Sequence, residues 1–386
     1  MLLNYCLKQD KELSLKTKVI LKDFYNNFKD SERIVSKINI SQNRTVKDII
    51  HKKDIPTPDD FNYIIEPIKK HILDLKISRF AVTYIFDIIK IQFTVSKLDL
   101  KKLDKHVYMI LCWLNFINKY NTNKAMGQTI NLFVYFNKKT KMLPDDENIT
   151  IQKENVNTGF AVSCVKNSNI IIYRSEEWFK VFIHETIHSL SLDFSCYDTS
   201  KATGYILKLF KVKSKVKLYE AYTDTWAKIL NVIFSCYFLN TTHSLKQFME
   251  DVNVLMNLEM TFSIFQVVKI LKFMKLTYKD LINGDEQKLK LYKENTSILS
   301  YYVISSILLN TYEDYFNWCI NNNTNILQFD NDNSTYKQIE FCKLIEGKYK
   351  SRLFTSRVDE ISKIFEKVDN KYLLRNMRKS LCEFEI

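Results

Sequence analysis

Two of the six histidines in this 386-residue chain stand four positions apart in the stretch VFIHETIHSL, residues 181–190. On a helix, residues spaced by four share a face, so His184 and His188 can aim imidazole nitrogens at one point. Neutral imidazoles arranged in this way suit a zinc ion. Glu185 directly follows His184 and projects just off that axis, where a carboxylate can take a proton from water without itself binding the metal. The chemistry this spacing points to is hydrolysis by a metal-activated water, with Glu185 as general base.

A five-residue pattern arises by chance, so a second signal is needed. It comes in YEAYTDTWA, residues 219–227. Glu220 can supply a third, oxygen ligand and leave one coordination position open for water. Asp224 is four residues on, hence on the same helical face, and can accept a hydrogen bond from the outer N–H of a ligand histidine. Two ordinary acids on a solvated helical face would produce the same letters. Asp193 and Asp198 are alternative carboxylate ligands.

His184-Glu185-Thr186-Ile187-His188 followed by Glu220-Ala221-Tyr222-Thr223-Asp224 resembles the gluzincins, the thermolysin-like zinc metallopeptidases. The resemblance covers about 70 residues and implies His184, His188 and Glu220 as ligands of Zn2+, Glu185 as general base and Asp224 as the orienting carboxylate. It also implies an edge strand ahead of the histidine helix that pairs with the substrate backbone, with Gly159, Phe160 and Ala161 or the stretch 170–174 in that role. Tyr219 stands where thermolysin-like enzymes carry an asparagine, and no aminopeptidase-type strand motif is present, so no subfamily follows. The metzincin pattern fails, because its later Gly and His positions are Ser191 and Phe194 here.

An oxyanion donor is expected, but no residue is singled out for it. His243, Tyr219 and Tyr222 are near the motifs, and each reads more readily as structural. His51, His71 and His106 belong to no second metal pattern and read as surface or satisfied core histidines. A cysteine nucleophile at Cys164 or Cys196 competes poorly, since zinc already accounts for the histidines. KATGYILKLFKVKSKVKLYE, residues 201–220, carries six lysines and no acid before Glu220. It reads as a solvated lysine-rich helix face, or as a basic element that attracts an acidic substrate or partner.

These residues need elements to position them. The β-branched and aromatic runs at 130–136, 159–165 and 170–174 read as a small sheet. Ser175 is placed to cap the following helix, with Glu176 and Glu177 in its first turn. Residues 217–238 give the clearest helix. Residues 1–53 read as charged helices with apolar positions at Leu13, Val19, Ile20, Phe24 and Phe28, and 63–120 reads as helical from spacings such as Phe80, Tyr84, Ile88 and Ile91. Residues 321–337 form the expected long loop, and all four prolines lie at or before Pro144. The expected fold is α+β and predominantly helical. A helical region (1–125) precedes a catalytic core of sheet, HExxH helix and glutamate helix (126–240), and a second helical region (241–386) follows. The helical regions flank a cleft.

Composition sets outer bounds. The formal charge is +13, with 46% hydrophobic and 26% charged residues, which is ordinary for a folded globular chain. The lysine, asparagine and isoleucine bias is what an AT-rich genome produces, such as that of a large DNA virus or a parasite. No zinc finger, RNP-like strand or phosphate loop is present, so nucleic acid is an unlikely partner. Eight scattered cysteines without a CxxC pair suggest reduced thiols in an intracellular compartment, or in a virion packaged from one. No uncharged apolar run is long enough to span a membrane. The expected partner is a peptide or protein substrate, with acidic ones favoured by the lysine-rich stretch. The competing expectation is a non-catalytic structural or virion-associated protein that binds through its basic surface, with or without a zinc site.

Overall fold

The computed structural model describes residues 5–6, 12–240, 244–330 and 332–383. It is α+β and mostly helical, with a six-stranded mixed sheet. The chain forms two compact units that do not follow chain order. One comprises Lys22–Thr140, Asn157–Leu192 and Glu383–Ile386, the other Met1–Leu21, Lys141–Val156 and Asp193–Cys382.

The first unit holds the whole sheet, in the order β1-β2-β3-β4-β6-β5, with β1 Arg44–Asp48, β2 Phe80–Ile85, β3 Ile89–Val95, β4 Thr129–Asn137, β5 Gly159–Ala161 and β6 Asn167–Arg174. The central pairings β3–β4 and β4–β6 are parallel, and the remaining ones are antiparallel. A parallel neighbour requires a crossover, and the helix Leu100–Asn118 supplies it between β3 and β4. One sheet face packs Ala81, Phe133, Tyr135, Ile171 and Tyr173 against Ile49, Ile55, Ile64, Ile68 and Ile72 from the segment that precedes β2. On the other face Leu132, Val134, Ile170 and Ile172 are fully buried, and the helix Trp178–Ser189 lies against β5 and β6.

The reading of 63–120 as continuous helix is corrected here. Phe80, Tyr84 and Ile91 belong to a β2–β3 hairpin, and Tyr84 sits directly opposite Ile91 in its register. Residues that share a helix face by spacing instead meet across two strands, both fully buried. Ile88 falls in the turn and is largely exposed. The N-terminal stretch also departs from expectation. Leu15–Val35 is helical and buries Phe24 and Phe28 against Phe116, but Val19 faces solvent and β1 occupies 44–48.

In the second unit the glutamate helix, Leu218–Leu239, packs against Leu245–Phe273, which in turn packs against Arg352–Phe365. The helix Leu245–Phe273 is long and apolar enough to cross a membrane by length and composition, and 83% of its most apolar window is buried in the protein. The turn Leu299–Ile304 is a π-helix. The backbone of the C-terminal segment is held by helix side chains: Lys269 and Gln266 donate to the carbonyls of Asn376 and Arg378, and Glu259 accepts from the Leu381 N–H.

Candidate metal centre

The histidine helix runs from Trp178 to Ser189, and each of its residues is buried. Its start differs from expectation. Glu177 occupies the N-cap position in a left-handed conformation (φ 58°), and its side chain makes no capping hydrogen bond to the helix. The Ser175 carbonyl accepts from Trp178 N–H, and the Glu177 N–H donates to the Glu383 side chain at 2.9 Å. Close approach to the sheet fixes the helix position. A Cβ on Gly159 would lie 2.5 Å from the Ile171 carbonyl oxygen and 3.1 Å from Val181 Cγ1. At the other end Ser168 Oγ donates to Ser189 Oγ at 2.8 Å.

Within this frame the His184 and His188 Nε2 atoms are 3.1 Å apart, on rings inclined at 83°. Two nitrogens each about 2.0–2.1 Å from one tetrahedral ion would be separated by roughly 3.3 Å. The pair therefore fits a shared ion with almost no adjustment. Both rings are about 95% buried, as is Glu185. His184 and His188 each offer one buried ligand nitrogen from this helix.

In its own unit Glu220 is in the first turn of the glutamate helix and 8% exposed, and Asp224 is fully buried one turn later. Sequence reasoning missed what holds Asp224. Lys228, a further turn on, places Nζ 2.8 Å from Asp224 Oδ2, with both side chains buried. The same ammonium donates to Ser305 Oγ at 2.8 Å and to the Tyr301 carbonyl at 3.3 Å. In the adjoining π-turn the Ser305 N–H donates to the Ser300 and Tyr302 carbonyls, and the Tyr301 carbonyl accepts from the Ser305 hydroxyl as well as from Lys228. The Asp-x-x-x-Lys spacing was visible in the sequence, but the π-turn that completes the arrangement was not.

The alternative carboxylates are engaged elsewhere. Asp193 Oδ2 accepts from Thr223 Oγ1 at 2.8 Å, and its Oδ1 accepts from Ser195 Oγ and N–H. Asp198 is exposed, and Ser200 donates to both of its oxygens. Of the oxyanion candidates, Tyr222 is fully buried in an aromatic cluster with Phe194, Tyr315 and Phe341. Its hydroxyl accepts from Asn323 at 2.8 Å, which makes it structural. Burial, with the nearby charges of Glu220 and Asp193, raises the pKa of Tyr219 well above that of a free phenol and keeps it a proton donor. His243 lies outside the described residues. Gly159, Phe160 and Ala161 do form the sheet-edge strand β5. Cys164 and Cys196 are disulfide-bonded, which corrects the expectation of eight reduced thiols and removes both as nucleophiles. Cys6, Cys112, Cys236, Cys319, Cys342 and Cys382 are free.

No family model, curated protein or solved structure matches the chain.

Proposed function

We propose that the protein is a zinc-dependent peptidase in which His184, His188 and Glu220 hold the metal and Glu185 is the general base. One observation carries this reading: two buried imidazole nitrogens, 3.1 Å apart on one helix face, already have the separation of ligands to a single ion. The residue between them in role, Glu185, is buried on the same helix. A zinc ion held there supplies Lewis acidity, lowering the pKa of a water and polarising a carbonyl.

The remaining work falls to the chain. Glu185 accepts the proton of the attacking water and delivers it to the leaving amine. Asp224, held by Lys228, fixes an imidazole N–H and with it the ring orientation. The β5 edge offers backbone N–H and C=O groups to an extended peptide.

The test pairs metal analysis with proteome-derived peptide profiling. Wild type should hold one zinc and cleave peptides; Glu185→Gln should hold the zinc and cleave far more slowly. A protein that binds no zinc, or a Glu185→Gln variant as active as wild type, removes the proposal.

A further inference from the structure

The residues between Phe210, where the helix Ser200–Phe210 ends, and Leu218 are not helical. Their exposure alternates strictly. Lys211, Lys213, Lys215 and Lys217 are exposed, whereas Val212 and Val216 are buried and Ser214 is half-buried. That is the period of an extended chain, not of the solvated helix face expected for this stretch. Alternate residues of an extended chain are about 6.4–6.8 Å apart, which sets the backbone repeat that carries Lys213, Lys215 and Lys217. Lys211, the cap of the preceding helix, is left-handed (φ 49°) and starts the row.

The row is anchored from below. Ser214 Oγ donates to Glu294 at 2.6 Å, Thr203 Oγ1 donates to the Val216 carbonyl at 3.3 Å, and the Lys211 stem lies close over Gly284. Glu294 lies beneath the row with Ser214, Tyr292 and the Leu299 N–H among its hydrogen-bond donors, and no lysine of the row is one of them. None of the four lysines is ion-paired with a described residue. Lys288, Lys337, Lys343 and Lys348 in the same unit each have an acidic partner. The row ends at Lys217, whose carbonyl accepts the Glu220 N–H at 3.1 Å. It therefore runs directly into the helix that carries the proposed carboxylate ligand.

We infer that Lys211, Lys213, Lys215 and Lys217 form a rail that binds an extended peptide carrying acidic residues at alternate positions. This names the substrate class for the proposed peptidase and rests on that reading. An extended peptide repeats its side chains at the spacing of the rail, so carboxylates at every second residue meet one ammonium each. Single-stranded nucleic acid has a comparable charge spacing, but its binding sites also carry aromatic platforms for the bases. The positions between these lysines are Val212, Ser214 and Val216, none aromatic.

Fluorescence anisotropy on the full-length protein tests the rail without requiring turnover. The probes are labelled (Glu-Ala)4, the block isomer Glu4Ala4, neutral (Gln-Ala)4 and an oligothymidine of eight nucleotides. Wild type should bind (Glu-Ala)4 at least roughly tenfold more tightly than (Gln-Ala)4 and more tightly than the block isomer or the oligonucleotide. Lys213→Glu with Lys215→Glu should remove that preference, since two attractive ammonium groups are replaced by repelling carboxylates. Both side chains are exposed, so an unchanged circular dichroism spectrum is expected and checks the fold. Equal affinity for the alternating and block peptides, tighter binding of the oligonucleotide, or no effect of the double reversal would each overturn the rail. If the peptidase reading alone is wrong, binding persists while no peptide is cleaved.

Discussion

His184 and His188 present their Nε2 atoms to each other at 3.1 Å from successive turns of one buried helix. A shared proton could span that gap as well as a shared ion, and metal content separates the two. Purified wild type should carry one equivalent of zinc, and His184→Ala and Glu220→Ala should each carry little. Full zinc retention in either variant would mean that the ligand set is wrong.

Glu185 should be separable from metal binding. Glu185→Gln keeps size and hydrogen-bonding capacity but cannot accept the proton. Turnover should fall by roughly 10²–10⁴, the scale of a lost general base, at unchanged zinc content. A parallel loss of zinc would instead make Glu185 part of the metal's support.

Asp224 and Lys228 form an ion pair with no exposed side-chain surface to speak of, 0% and 2%. Removing one partner of such a pair leaves an uncompensated buried charge. Lys228→Met should therefore cost about 3–5 kcal/mol in urea unfolding. Lys228→Met combined with Asp224→Asn should recover much of that stability while zinc affinity stays low, because the carboxylate that orients the imidazole is gone. A double variant as unstable as the single one would place the cost in lost packing.

How much of this could be read from letters depended on whether the signal was local. Histidines four apart and the later Glu-x-x-x-Asp are helix-face relations, so spacing alone indicated the candidate ligands. The runs that became β4 and β6 were legible because β-branched and aromatic residues crowd into a few positions. The hairpin of β2 and β3 was misread because Tyr84 and Ile91 satisfy a helical spacing as well as a cross-strand register. The Lys228 arrangement draws on the Tyr301 carbonyl and the Ser305 hydroxyl of a turn some seventy residues away, and no window of sequence contains that relation. The period-two alternation of KVKSKVK was present in the letters, but the neighbouring helices drew it into a helical reading.

The last prediction concerns His106, read from sequence as a surface or satisfied histidine. It is 4% exposed, packed by Phe93, Phe136 and Trp178, and its Nδ1 finds no hydrogen-bond partner among the described residues. Burial, with a smaller push from Lys102 and a partial offset from Asp99, lowers its pKa to about 4. The sign follows from which state binds the proton. Below about pH 6.5 the unfolded chain protonates this histidine, whereas the folded chain does so only near pH 4, so stability falls across that window as pH drops. The full loss is on the order of 3 kcal/mol, and above pH 7 the group contributes no pH dependence. Urea unfolding of wild type and His106→Phe between pH 7.5 and 4.5 checks this. The wild-type midpoint should drop more steeply than that of the variant, and parallel curves would show that His106 takes up its proton in the folded protein as readily as in the unfolded chain.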